Sequence, residues 1–291
     1  MTVLRLPAPA KLNRFLHITG RRADGYHMLQ TVFQLIDQMD WLSFEAQDSL
    51  ELISDLPFPP QDNLIIRAAR LLQTTTGCTQ GAKITLEKNL PMGGGLGGGS
   101  SDAATTLLAL NYLWQTGLSI DELAKLGLTL GADVPVFVCG QNAWAEGVGE
   151  ILQPITLPET HFVVLTPNCS VSTAEIFNHP GLPRATPLIN QAQFLAELQN
   201  QNIDKKTHND CAVVVRKLYS EVDQALLFLE EIQQQSLELN EAPQLTGTGA
   251  CVFLVTPTRA FADKILKKSP FNGFVCSGIG QSPVHSALNL L

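Results

Sequence analysis

Residues 93–99 are the first to suggest chemistry. Six of the seven are glycine, Leu96 is the exception, and Ser100, Ser101 and Asp102 follow. Ordering such a run costs backbone entropy, and a simple turn needs only one or two glycines. Glycine lets backbone N–H groups approach an anion closely, and a helix start adds unpaired donors and a positive dipole end. A phosphate-binding loop is therefore the first reading, ahead of a flexible linker. The run satisfies G-x-G-x-x-G, but in so glycine-rich a stretch the match says little. A dinucleotide fingerprint also needs an acidic ribose ligand about 20 residues on, at a strand end. Asp121 falls near that distance but inside a helix start. No Gly-Lys-Ser/Thr follows, so this is not a Walker A loop, and the His-Arg-Asp and Asp-Phe-Gly of protein kinases are missing. A second glycine segment, Gly247-Thr248-Gly249, precedes an apolar run. By itself it reads as a tight turn between helix and strand.

Several elements must hold these loops in place. From Lys11 to Ile18, Leu12, Leu16 and Ile18 alternate with Lys11, Asn13 and His17, which predicts a strand. Further strands are expected over 31–44, 50–54 and 82–87, and a hairpin over 144–152 pivoting near Gly147. Helices are expected over 63–73 and 103–114, and Ser119-Ile120-Asp121-Glu122 is a capping box that opens another. From about residue 157 the chain reads mostly helical, over 191–200, 211–219 and 222–235. A strand over 251–256, a helix over 259–268 and a strand over 274–277 then close it. The composition shift places a domain boundary near residue 156, dividing 1–156 from 157–291.

Composition narrows the function classes. The 291 residues include 19 Lys plus Arg and 27 Asp plus Glu, a net charge of −8. That balance argues against a nucleic-acid partner, which needs counter-charge along an extended surface. It leaves an anionic small molecule open. No run of about 18 apolar residues predicts a membrane helix, and the N-terminus lacks a secretory pattern. The six cysteines are dispersed with no C-x-x-C, so reduced thiols in the cytoplasm are expected. No His/Asp/Glu cluster has metal-ligand spacing, so no protein ligand to a metal is named. The oligomeric state is not legible.

The chain resembles the GHMP kinases (galactose, homoserine, mevalonate and phosphomevalonate kinases) through three motifs in order. They are Pro7-Ala8-Pro9-Ala10-Lys11-Leu12-Asn13, the stretch from Pro91 to Ser101, and Leu245-Thr246-Gly247-Thr248-Gly249-Ala250-Cys251-Val252-Phe253. Three further segments are discriminating within the family: Gly20-Arg21-Arg22-Ala23-Asp24-Gly25-Tyr26-His27, the glycine loop itself and Gly131-Ala132-Asp133-Val134-Pro135. The resemblance implies a two-domain α+β fold, its N-terminal domain similar to a ribosomal-protein fold, with the active site in the interdomain cleft. It implies ATP, with Mg²⁺, as phosphoryl donor. The acceptor it implies is a cytidine diphosphate-linked methylerythritol, phosphorylated on its 2-hydroxyl.

The resemblance also assigns roles. Asp133 is the expected catalytic base and Lys11 its partner. On spacing alone, Asp133 reads first as a turn aspartate and Lys11 as an exposed strand lysine. The nucleotide site is expected to use Pro91, Met92, Gly93, Gly94, Gly95, Leu96, Gly97, Gly98 and Gly99. Ser100 and Ser101 serve there as phosphate or Mg²⁺ contacts or as helix caps, and Asp102 as a cap. Asn63 and Lys88 are expected near the nucleoside. Tyr26 and Phe177 are expected to sandwich the cytosine and His27 to bind its edge, although a lone Phe177 reads equally as core. Asn13 and Thr173 would hold the diphosphate-sugar portion, with Gly247, Thr248 and Gly249 closing over the acceptor. Three alternatives stay open here: a GHMP kinase with another small-molecule acceptor, a non-catalytic nucleotide-binding module and, least favoured by the net charge, an RNA-binding protein.

Overall fold

The computed structural model describes residues 3–199 and 207–290. Its first sheet is built on two long strands, β1 (Leu4–Arg21) and β2 (His27–Gln47), paired antiparallel along nearly their whole length. Strand β3 (Leu50–Ile53) runs parallel to β4 (Gly81–Glu87), which pairs with the end of β2. Helix α1 (Leu64–Thr76) lies between them in sequence. Then follow α2 (Gly98–Leu113), α3 (Ile120–Leu128), α4 (Val134–Cys139) and the hairpin of β5 (Ala143–Glu146) and β6 (Ile151–Pro154), which extends the sheet from β2.

The second sheet is antiparallel. Its strands are β7 (His161–Leu165), β8 (Gln244–Leu245), β9 (Val252–Thr256) and β10 (Gly273–Ser277), in the order β10-β7-β9-β8. Around it lie α5 (Thr173–Asn178), α7 (Ala212–Leu218), α8 (Ser220–Gln234) and α9 (Arg259–Lys268), while α6 (Gln191–Gln199) packs Phe194 and Leu198 on Phe15, Val32 and Trp144 of the first sheet. The chain returns to the first sheet through α10 (Pro283–Ala287), whose Val284 joins its core. A middle cluster joins the two sheets: Ala10, Leu12, Ile36 and Leu96 pack against Phe162, Val164, Cys251 and Phe253.

Local signals explain most of these elements. Asn63 caps α1 by accepting from the Ile65 N–H, and Gly77 ends it at φ +70°. The Ser119/Glu122 capping box of α3 forms in both directions. Three expectations change. The alternation in β1 does not separate core from solvent, because residues 6–18 are all buried. Both faces of β1 are covered, so its polar residues face the interior. Helix α2 begins at Gly98, five residues before the expected start, because tertiary packing overrides the poor helix propensity of glycine. Strand β7 and helix α10 were not expected. The run Phe162-Val163-Val164-Leu165 lacks alternation because both of its faces are buried. Of the helix expected over 191–200, Asn200 lies outside the described residues.

Candidate active site

The glycine loop is fastened through its carbonyls. The Gly93 carbonyl accepts from the Ala250 N–H at 3.1 Å and that of Gly94 from Cys251 at 3.2 Å, while that of Leu96 accepts from the Lys11 N–H at 3.0 Å. The Gly95 carbonyl accepts from the Lys11 ammonium at 3.0 Å and the Thr246 hydroxyl at 3.1 Å. The two glycine-rich segments and β1 thus form one knot. Glycine is required there for two reasons. Gly93, Gly95 and Gly97 are left-handed, at φ +66°, +73° and +73°. A Cβ on Gly95 would sit 2.0 Å from the Thr246 carbonyl oxygen, and one on Gly97 would sit 2.8 Å from the Phe137 ring. The loop carbonyls are committed, whereas the first N–H groups of α2 have no partner within the helix, as at any helix start.

Beside this loop Lys11 reaches across the strand. It is buried, not the exposed strand lysine that spacing alone suggests. Its ammonium donates to Asn13 Oδ1 at 2.5 Å and lies 3.4 Å from Asp133 Oδ2. Asp133 sits at the start of α4 but caps nothing, and its side chain is 34% exposed. Its carboxylate is free to meet a ligand on one side and Lys11 on the other. Asn13 is a bridge. Its Oδ1 also accepts from the Gly247 N–H at 3.0 Å, and its Nδ2 donates to the Thr31 hydroxyl at 2.9 Å.

These groups line a cavity of about 660 Å³. Lys11, Asn13, Gly95, Gly97, Ser100 and Asp133 line it, as do Tyr26, His27, Thr173 and Phe177. Gly247 and Thr248 line it too, and the Thr248 and Thr173 hydroxyls are 2.9 Å apart. Tyr26 is 64% exposed in the loop between β1 and β2. The His27 and Phe177 rings lie 5.2 Å apart at 33°. Burial, helped by the Arg184 and Arg21 charges, lowers the His27 pKa, so the ring is neutral near pH 7.

Several expected contacts lie elsewhere. Ser101 is fully buried and its hydroxyl has no hydrogen-bond partner, so Ser100 alone of the two serines reaches the cavity. Neither serine caps α2, whose N-cap is Gly97. Asp102 is no cap either: it is buried and lies 2.7 Å from the Lys88 ammonium. Asn63 is spent on capping α1. Lys88 is clasped by Asp40 at 2.5 Å and Asp102 at 2.7 Å. Burial works against its charge, but the two carboxylates more than offset this and raise its pKa. Burial with a second carboxylate nearby pushes Asp102 up to about 7 despite Lys88. Asn63, Lys88, Pro91, Met92 and Gly249 do not line the cavity. Lys88 and Leu64 do flank the loop, since Cβ atoms on Gly98 and Gly99 would lie 3.1 Å from Lys88 Nζ and 3.7 Å from Leu64 Cδ1.

Comparison with known proteins gives this arrangement a family. Residues 63–141 match the family model described as GHMP kinases N terminal domain. The chain is 52% identical to a 4-diphosphocytidyl-2-C-methyl-D-erythritol kinase of Haemophilus ducreyi, covering 100% of this chain and 99% of the relative. It is 52% identical to the kinase of the same name from Shewanella loihica, covering 96% of this chain and 94% of that one. The chain belongs to the 4-diphosphocytidyl-2-C-methyl-D-erythritol kinases, a branch of the GHMP kinases. A crystal structure of a 4-(cytidine 5'-diphospho)-2C-methyl-D-erythritol kinase superposes with a TM-score of 0.81 at 31% identity, over 95% of this chain and 99% of that one. A mevalonate kinase structure, 17% identical over 97% of this chain and 100% of its own, shares the fold at a TM-score of 0.65. The α+β GHMP kinase fold expected from the motifs is the fold observed.

Among the described residues no group of three His, Cys, Asp or Glu side chains is placed to hold a metal ion. No helix there is long and apolar enough to cross a membrane. One participant had no signal in the sequence. Arg184, in an irregular stretch after α5, contacts His27 and the Phe177 carbonyl. Nothing in its spacing marks it.

Proposed function

We propose that this protein transfers the γ-phosphoryl group of ATP to the 2-hydroxyl of 4-diphosphocytidyl-2-C-methyl-D-erythritol. The observation that carries the reading is the Lys11–Asp133 pair, 3.4 Å apart, facing the cavity beside the glycine loop. The Asp133 carboxylate holds the acceptor hydroxyl and takes its proton as the oxygen attacks the γ-phosphorus. The new O–P bond forms as the β–γ bridging bond breaks, and ADP leaves with that oxygen. Lys11, 3.4 Å from that carboxylate, lowers the energy of the developing alkoxide.

The glycine cradle fits a chain of phosphates, and the amides opening α2, with Ser100, would hold them. Mg²⁺ binds chiefly through phosphates and keeps several waters. That suits the described residues, among which no three carboxylate, imidazole or thiol side chains gather, and the ion would supply charge neutralisation there. Lys88 flanks the loop at Gly98, and the family pattern puts it and Asn63 near the nucleoside. Tyr26 and Phe177 enclose the cytosine, His27 meets its edge, and Asn13, Thr173, Gly247 and Thr248 hold the diphosphate-sugar portion. The division near residue 156 puts the acceptor between two domains, with Asn13, Tyr26 and His27 on one side and Thr173, Phe177, Gly247 and Thr248 on the other. We place the protein in the cytoplasm, in keeping with its six free cysteines, with no nucleic-acid or membrane partner.

The test is ADP release with ATP, Mg²⁺ and the cytidylyl methylerythritol acceptor, run beside galactose, homoserine and mevalonate. Turnover with the cytidylyl acceptor alone is the expected result. Preference for another alcohol would reassign the acceptor. ATP binding without acceptor-dependent release would reduce the protein to a nucleotide-binding module.

A further inference from the structure

Arg184 spends its guanidinium on the cytosine end of the cavity. Its Nη2 donates to the Phe177 carbonyl at 3.2 Å and the His179 carbonyl at 2.8 Å. Its Nη1 donates to the Leu182 carbonyl at 3.2 Å. Its Nε–H donates to His27 Nε2 at 3.1 Å. Helix α5, which carries Phe177, and β2, which carries His27, come from opposite halves of the chain. One side chain fastens the end of the first to the start of the second.

The fourth of these bonds has a chemical consequence. A guanidinium offers donors and no acceptor, and it keeps its charge throughout the working pH range. The His27 nitrogen facing it must therefore be the acceptor. A neutral imidazole with an acceptor at Nε2 carries its proton at Nδ1. The nitrogen left to meet a ligand is then an N–H donor. Cytosine presents an unprotonated N3 beside its O2, two acceptors. Uracil presents an N3–H, a donor that would oppose the His27 proton. A site built to hydrogen-bond one partner rejects the mismatched one strongly, because its own polar group is left unpaired.

We propose that Arg184 is a positioning residue that holds His27 as its Nδ1–H tautomer and so makes the acceptor site select cytidine over uridine. This rests on the reading of the cavity as a cytidylyl acceptor site. It adds a residue outside the substrate shell and a reason for base selectivity.

The experiment uses the full chain with ¹⁵N-labelled histidine, as wild type, Arg184→Met and Arg184→Lys. Long-range ¹H–¹⁵N NMR reads the His27 tautomer. Steady-state kinetics compare the cytidylyl acceptor with its uridylyl analogue. Wild type is expected to show Nδ1–H on His27 and a strong cytidine preference. In Arg184→Met, Nε2–H should appear on His27. The cytidylyl-to-uridylyl ratio of kcat/KM should fall about tenfold or more, carried by acceptor KM, with kcat and the KM for ATP little changed. Arg184→Lys, which keeps a donor, should retain the tautomer and recover part of the ratio. A merely structural arginine would lower kcat for both acceptors equally and leave the tautomer alone. An Nε2–H tautomer in wild type overturns the proposal, and so does an unchanged ratio in a folded Arg184→Met. If wild type turns over neither acceptor, the functional reading fails, and the NMR still decides whether Arg184 sets the tautomer.

Discussion

The Lys11 ammonium and the Asp133 carboxylate lie 3.4 Å apart, the lysine side chain 3% exposed and the aspartate 34%. Lysine is almost never buried this far unless paired. Here its partners are Asp133, Asn13 and the Gly95 carbonyl. The asymmetry in exposure separates the roles: the lysine is built into the wall, and the carboxylate opens to the cavity.

Substitution of the two should therefore differ in character. Asp133→Asn should lower kcat by about 10²- to 10⁴-fold, the range for losing a general base, with the fold retained because the amide oxygen can still accept from Lys11. Lys11→Ala should cost stability, about 1–3 kcal/mol, because it removes charge-assisted hydrogen bonds to the Asn13 and Gly95 oxygens, each of which keeps one other donor. Paired measurements of turnover and urea unfolding test this. A folded Asp133→Asn with near-normal kcat would remove the base assignment.

Tyr26 and Phe177 should report on the acceptor alone. Stacking on a base contributes about 1–3 kcal/mol per aromatic. Tyr26→Ala is thus expected to raise the acceptor KM by about 5- to 150-fold, with the KM for ATP unchanged. At 64% exposure the loss of Tyr26 should not affect stability. Equal effects on both substrates would place the ring elsewhere.

Two glycines in one loop should respond in opposite ways. Gly95→Ala forces a Cβ to 2.0 Å from the Thr246 carbonyl oxygen at φ +73°, so the knot must open. Both stability and activity should fall. Gly99→Ala meets nothing nearer than 3.7 Å, inside α2. Alanine there should stabilise by about 0.5–1 kcal/mol through helix propensity. Differential scanning calorimetry of the two variants separates steric need from conformational preference, and the KM for ATP of Gly99→Ala then tests how closely the phosphates approach.

Asp102 predicts a pH dependence. Its folded pKa is raised from an ordinary 3.8 to about 7, chiefly by burial. The folded state therefore holds this proton more tightly than the unfolded chain. The stability it lends is complete below the ordinary value and is lost as pH rises through about 7. Asp102→Asn removes that loss. The unfolding free energy of the variant relative to wild type should rise between pH 4 and 7 and then level off. A pH-independent difference in urea midpoints would contradict it. His285 acts in the opposite sense. Burial lowers its pKa, so its contribution is present above its ordinary value of 6.5 and lost on acidification.

The sequence by itself determined what depends on local conformation. The glycine run marks left-handed backbone and close approach, and both occur in residues 93–97. The box at Ser119 forms as written. The motifs also brought Lys11, Asp133, Tyr26, His27 and Phe177 into one site. Tertiary structure alone decided the partners of buried charge. Lys88 stands close to the glycine loop in sequence, yet Asp40 and Asp102 claim it. Ser100 and Ser101 are adjacent and alike, yet one lines the cavity and the other is sealed in. Arg184 meets His27 across 157 residues. A turn or a cap is settled by the few residues that make it, so it can be read from them. A buried charge takes whichever opposite group the packing of distant elements brings within reach, and no local pattern encodes that distance.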